Sequence, residues 1–181
     1  MKHVIALMVV VLLAGADAAS ASHIGVGLGA FGGYCAAVAQ DDAGSGFIYG
    51  FRAPIRLIHL LTIEPFYQSA SLSDVEEDFG GVTTTIPGYD MTAFGANAII
   101  GSLGGAGITF YPYVGLGSYD LEQSGGTSDT ETGWSFGLGL GLPPISKFTI
   151  QIRAELDMLV EDSSSRKFGQ INAGLNYNFG H

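Results

Sequence analysis

The stretch "KFTIQIRAELDMLVED", residues 147–162, decides how the chain folds. Its even positions from Phe148 to Val160 are all apolar: Phe148, Ile150, Ile152, Ala154, Leu156, Met158 and Val160. Between them lie Thr149, Gln151, Arg153, Glu155 and Asp157, with Leu159 the one apolar exception. Alternation at every second residue puts the two sets on opposite faces of a β-strand. A helix would instead mix Ile150, Arg153, Asp157 and Val160 on adjoining parts of one surface. The run is also long, with about 13 alternating residues against about 5–6 in an ordinary strand. A tilted strand that crosses the hydrocarbon core of a bilayer takes about 9–11 residues. The stretch therefore predicts a membrane-spanning strand with an oily face and a polar one.

The rest of the chain is consistent with export. Its 181 residues suffice for one domain. The opening "MKHVIALMVVVLLAGADAASAS" carries Lys2, an apolar run from Val4 to Ala14, and small residues at Ala16 and Ala18. That is the pattern of a cleaved secretory signal. The expectation is a signal peptide over 1–21, cut after Ala18 or Ala21, and one barrel domain over 22–181. The apolar run falls well short of the ~20 residues a spanning helix needs. Cys35 is the sole cysteine, so no disulfide forms within the chain. It reads as an inert small side chain in a strand.

Glycine stands at 28 residues, about twice the usual ~7 % share. The glycines recur inside strand-like runs such as "HIGVGLGAFGG" (23–33) and "WSFGLGLGL" (134–142). Glycine weakens an ordinary strand interior. A narrow closed barrel gives it a use, since small residues leave lumen space for bulky or charged neighbours.

Eight alternating segments follow from the same periodicity: 23–38, 46–58, 61–72, 88–101, 107–120, 131–142, 147–160 and 168–179. The breaks at 39–45, 73–87, 121–130 and 161–167 are long and polar, and those at 59–60, 102–106 and 143–146 are short. This predicts an all-β fold: an eight-stranded antiparallel up-and-down transmembrane β-barrel, with tight turns at one end and loops at the other. Charge is sorted along the same axis. Of the 17 acids, Asp17 lies in the leader and Glu64, Asp90, Glu155 and Asp157 lie in strands; the other twelve fall in or beside the long breaks. Two ends so different are expected to face different compartments. A net charge of −10 also argues against nucleic-acid binding.

Arg52, Arg56, Glu64, Arg153, Glu155 and Asp157 occupy polar-face positions of their segments. A charge on the lipid face costs about 2–4 kcal/mol near the midplane. These six are therefore expected in the lumen, where an unpaired charge is expensive and a paired one tolerable. Pairing the second and third segments symmetrically about position 60 sets Arg56 opposite Glu64. A lumen plugged by an ion-pair network is the result. Aromatics near strand ends are expected to form two interfacial girdles. Phe47, Tyr49, Tyr67, Tyr89, Tyr119, Trp134 and Phe168 lie near the loop ends; Phe110, Phe148, Tyr177 and Phe179 lie near the turn ends. In the fifth segment Tyr111, Tyr113 and Tyr119 alternate against Val114 and Leu116, and the last two are read as lipid-facing.

The stretch "INAGLNYNF" (171–179) places Ile171, Ala173, Leu175, Tyr177 and Phe179 on one face and ends in an aromatic. With "TIEPFYQ" (62–68) and "PYVGLGSY" (112–119) it resembles the small bacterial outer-membrane barrels, OmpA/OmpX-like and opacity-type, grouped as the outer-membrane-protein β-barrel domain. The resemblance implies residence in the bacterial outer membrane, with both termini in the periplasm. It implies contact with outer-membrane lipid and lipopolysaccharide. It also implies that barrel assembly machinery recognises Leu175, Tyr177 and Phe179 as a C-terminal signal, although Gly180 and His181 follow where most relatives end.

Catalysis has little to build on. Acyl transfer needs a nucleophile beside a base, yet beyond the leader the histidines are His23, His59 and His181, all at the turn end. Ser163, Ser164 and Ser165 adjoin Glu161 and Asp162 but no base. No enzyme is expected. His23 and His181 lack a third metal ligand, and "DVEED" (74–78) lacks the spaced pattern of a calcium loop. "GVGLGAFGG" has dinucleotide-like glycines but no helix pattern after it. Neither a cofactor nor a metal is expected. An eight-stranded lumen is wide enough only to be filled by side chains or to hold one small ligand. The expected function is a structural or surface-interaction role through acidic extracellular loops, with an extracellular protein or a cation as the candidate partner. A narrow channel for small solutes is the alternative, and a soluble periplasmic lipocalin-like barrel a second one.

Overall fold

The computed structural model describes residues 25–38, 44–78, 83–101, 103, 106–123, 126, 128–160 and 165–179. Residues 1–24, on which the expected signal peptide and His23 fall, lie outside them, as do His181, Asp41, Asp42, Glu161, Asp162, Ser163 and Ser164. Among the described residues eleven strands run in chain order: β1 (Gly25–Ala37), β2 (Ser45–Arg52), β3 (Ile55–Ile58), β4 (Leu61–Leu72), β5 (Val75–Asp78), β6 (Thr83–Ile86), β7 (Tyr89–Ile100), β8 (Thr109–Gln123), β9 (Ser128–Gly141), β10 (Phe148–Val160) and β11 (Ser165–Asn178). Neighbours pair antiparallel, and β11 returns to β1 from Gly27↔Asn178 to Ala37↔Phe168. That seam closes the sheet.

β2 and β3 are two pieces of one wall strand, since both pair with β1 on one side and β4 on the other. The break falls at Ala53–Pro54, where proline has no N–H to offer a ladder. Single hydrogen bonds carry the wall across the gap: Gly27 N donates to Pro54 O at 2.8 Å, and Ala53 N to Pro65 O at 2.9 Å. β5 and β6 form a separate hairpin within the second long break. The wall therefore has eight strands, and the fold is a closed eight-stranded antiparallel barrel. β8, β9 and β11 extend further toward the loops than alternation indicates, reaching Gln123, Ser128 and Ser165. In the β9 extension Ser128, Asp129 and Thr130 are all polar and exposed, so the ladder continues there without the alternation that would reveal it.

β10 shows the two faces plainly. Phe148, Ile150, Ile152 and Val160 are exposed on the outer wall, while Thr149, Gln151, Arg153 and Asp157 are buried inside. The same parity puts Val114 and Leu116 of β8 outward and Tyr111 and Tyr113 inward. An outer surface carrying Phe51, Phe94, Phe136, Leu138, Ile171 and Leu175 is far more apolar than water tolerates and suits lipid.

Three aromatics expected in the loop-end girdle are interior instead. Tyr119 and Phe168 are buried, and Tyr89 packs against the same inner cluster. Parity explains each, because Tyr119 shares a face with Tyr113, Phe168 with Gln170, and Tyr89 with Met91. The girdle keeps Phe47, Tyr49 and Trp134 at the loop end and Phe110, Phe148 and Phe179 at the turn end. Tyr177 is edge-on to Phe148 at 5.2 Å and to Phe179 at 5.0 Å.

The lumen is layered. Its loop-side part is filled by an apolar cluster that includes Phe66, Met91, Tyr119, Leu121, Leu159 and Phe168. A polar belt follows, and a second cluster of Ile99, Leu103, Tyr111 and Tyr113 lies toward the turns. The expected filling of ion pairs thus occupies the middle layer alone. Leu159, the exception in the opening stretch, is a member of the apolar layer.

Glycines on the inner wall make this filling possible. Across the β8–β9 ladder Tyr111 faces Gly139 and Tyr113 faces Gly137. A Cβ at either glycine would lie 2.1 Å from the facing ring. Each tyrosine lies flat over a bare stretch of backbone, an aromatic covering a glycine across the ladder. Gly139→Ala is expected to unseat Tyr111 and to cost about 1–3 kcal/mol. Urea unfolding of the refolded barrel measures this. Gly107→Ala, at a site with nothing within 4 Å of the added Cβ, should leave the midpoint in place.

Candidate functional site in the barrel lumen

β4 and β10 stand on opposite sides of the barrel, separated by β7, β8 and β9 one way and by β11, β1 and β2 the other. Even positions of β4 and odd positions of β10 point inward, which aims Glu64 and Arg153 at each other across the lumen. Arg153 donates from both terminal nitrogens to the two carboxylate oxygens of Glu64, at 2.6 and 2.8 Å. Both side chains are nearly inaccessible to solvent. A bidentate guanidinium–carboxylate fork is among the strongest and most directional of polar contacts.

Further contacts hold the fork. Arg153 Nε donates to Tyr111 Oη at 3.1 Å and one terminal nitrogen to Gln151 Oε1 at 2.8 Å. Its guanidinium carbon lies 4.9 Å from the ring centre of Tyr113 and 5.4 Å from that of Tyr111. On the far wall Asn97 Nδ2 donates to Glu64 Oε1 at 3.5 Å, and Ser135 Oγ donates to Asn97 Oδ1 at 3.2 Å.

The other expected charges occupy different settings. Arg52 lies 4.6 Å over the Phe31 ring and donates to Asn172 Oδ1 at 3.4 Å. Gly174 leaves its room, since a Cβ there would sit 2.2 Å from an Arg52 terminal nitrogen. Glu155 and Asp157 are bridged by one neutral group: Gln170 Nε2 donates to Glu155 Oε1 at 2.6 Å and to Asp157 Oδ2 at 2.8 Å. Tyr119 Oη adds a bond to Asp157 Oδ1 at 2.9 Å. The central space left among Arg52, Glu64, Arg153 and Asn172 is about 10 Å³, room for about one water.

Arg56 departs from expectation altogether. It pairs with Thr62 rather than Glu64, because the ladder centres one residue earlier and shifts between Arg56 and Ile58. Its guanidinium donates to the carbonyl of Leu103 at the turn-end mouth. The six side chains therefore do not form one network of opposite charges. The residues that complete the belt, among them Asn97, Ser135, Gln170 and Asn172, are neutral. Their inward parity is visible in the sequence, but a search for charges passes over them.

At the C-terminal strand Leu175 and Phe179 are exposed on the outer wall and Tyr177 is half-buried. Phe179 N donates to Val26 O at 2.8 Å, which ties the last aromatic to β1. At the loop end Asp74 Oδ1 accepts from Gly88 N at 2.7 Å and closes the β5–β6 excursion. Asp90 is outward and exposed, as an inward Asn97 requires. Among the described residues no three His, Cys, Asp or Glu side chains converge on a metal-sized space.

Removing one partner of a buried ion pair strands the other, at about 3–5 kcal/mol. Glu64→Ala should therefore destabilise the barrel by that amount. The double variant Glu64→Leu/Arg153→Met should recover most of the loss. Urea titrations followed by the fluorescence of Trp134, the single tryptophan, would show whether it does.

Comparison with known proteins supports the architecture. The family model described as the outer membrane protein beta-barrel domain matches residues 4–179. No curated protein matches the chain in sequence. Among solved structures, Neisserial surface protein A (NspA) superposes with a TM-score of 0.63 at 15 % identity, covering 86 % of this chain and 97 % of that one. A major outer membrane protein from Thermus thermophilus gives 0.59 at 12 % identity, covering 87 % and 100 %. The N-terminal β-barrel domain of Pseudomonas aeruginosa OprF gives 0.50 at 19 % identity, covering 84 % and 97 %. At such identities the likeness is one of fold. A closed wall with an oily outside and a polar, glycine-relieved inside, matched by that model over nearly its whole length, places the chain in the outer membrane protein beta-barrel domain family.

Proposed function

We propose that this barrel acts through its surface, as a structural or contact protein of the bacterial outer membrane, and that its lumen is closed to solute. The observation that carries the reading is the layered filling. An apolar stopper at the loop side, a fork across the full diameter and a tyrosine layer below it follow one another along the axis. Conduction needs a continuous wet path, and about 10 Å³ among the central charges does not provide one.

In this reading both termini lie in the periplasm and the long breaks face outside. The acidic loop end then meets basic extracellular surfaces, or lipopolysaccharide through bridging cations. Outer-wall residues Leu175, Tyr177 and Phe179 serve as the signal for the barrel assembly machinery. No catalysis is assigned: His59, the one histidine among the described residues, sits in the β3–β4 turn.

Planar-bilayer recording tests closure. The wild-type protein should show no steady conductance, and Glu64→Gln alone should stay silent because the apolar stopper is untouched. Steady single-channel steps from the wild type would overturn the closed reading. Orientation is tested on intact cells with a membrane-impermeant maleimide. Glu76→Cys should label and His59→Cys should not, while the native Cys35, fully buried, stays silent in both.

A further inference from the structure

We propose that the turn-end mouth of the lumen is a binding site for a small oxyanion, held by the Arg56 guanidinium, the Thr62 hydroxyl and the Asn176 side-chain amide. A cavity of about 60 Å³ lies there, bounded by these three and by Gly25, Pro54 and Leu103, among others. That is room for about four waters, or for one ion of four or five non-hydrogen atoms.

Three features make the cavity selective for negative charge. Arg56 is the one charged side chain among the described residues that line it, and no carboxylate of those residues faces it. Among the described residues its guanidinium has one acceptor, the neutral carbonyl of Leu103, which leaves most of its donor fork available to a ligand. Thr62 and Asn176 supply the second, independent sign. Both are about 1 % exposed, and among the described residues neither Thr62 Oγ1 nor the two polar atoms of the Asn176 amide has a partner. Buried polar groups in folded proteins are nearly always satisfied.

Backbone placement brings the three together. Arg56 and Thr62 are cross-strand partners in the β3–β4 hairpin. Asn176 projects inward from β11, paired with Gly29 on one side and Thr149 on the other. Gly29 is obligatory for this, since a Cβ there would fall 1.6 Å from Asn176 Oδ1. A planar donor fork facing a hydroxyl and an amide suits a carboxylate or phosphate group better than a spherical halide. The site is separate from the Glu64–Arg153 fork and does not depend on which end of the barrel faces outward.

The test is a titration of the folded protein in zwitterionic detergent micelles with inorganic phosphate at constant ionic strength. Proton–nitrogen NMR follows the backbone amides of Gly25 and Thr62 and the side-chain NH2 of Asn176. Saturable shifts at these positions are expected, with sodium chloride a poor competitor. Arg56→Gln should weaken the apparent affinity at least about tenfold. Thr62→Val keeps the shape of the cavity and should weaken it severalfold, which decides the matter if Arg56→Gln fails to fold. Shifts that never saturate, that centre on Lys147, or that persist unchanged in either variant would overturn the site and leave the cavity to water alone.

Discussion

Hydrocarbon offers no hydrogen bond, so every amide and carbonyl of a strand in the membrane must find its partner in another strand. For this chain the constraint is met at one place, the seam where β11 returns to β1 over eleven paired positions from Gly27↔Asn178 to Ala37↔Phe168. Everything else follows from closure. Once the wall is closed, each strand has an inside and an outside and no edge, and side-chain parity alone assigns every residue to lipid or lumen. The break at Ala53–Pro54 shows how strict the demand is. Where proline interrupts the ladder, neighbours on both sides still supply hydrogen bonds.

Closure creates a second problem, that of filling a narrow tube with side chains from eight walls. The chain solves it by pairing bulk with emptiness. Tyrosines of β8 lie over glycines of β9, and Arg52 occupies the space that Gly174 vacates. These pairings also explain how the charged belt can sit buried at mid-depth. Aromatic faces, amides and one bidentate partner replace the hydration that Arg153 and Arg52 give up.

Much of this is legible in the residues because period-two alternation is a local signal. Phe148 to Val160 declares its two faces without reference to any other strand, and the same holds for Val114 and Leu116. What depends on register is not legible. Arg56 misses Glu64 because a single-residue offset in the hairpin recentres the ladder, and such an offset leaves no mark in composition. The partner that Glu64 does find, Arg153, is 89 positions away in sequence and half the circumference away in the wall. Only the closed geometry joins them. Tyr89, Tyr119 and Phe168 leave the girdle for a different reason, since parity outweighs nearness to a strand end. Met91, Leu121 and Leu159 show why parity wins: the loop-side lumen takes apolar residues as readily as the membrane does.

The unusual length of β8 and β9 has a geometric result. Fifteen residues in β8 span about 50 Å at ~3.3 Å each. At a tilt of ~40° this gives a rise of roughly 38 Å, against an apolar band of ~25 Å. The β8–β9 ribbon therefore stands roughly 13 Å taller than the oily girdle it grows from, a stiff mast rather than a floppy tether. Asp120, Glu122 and Asp129 ride near its top, which carries their negative charge above the oily band.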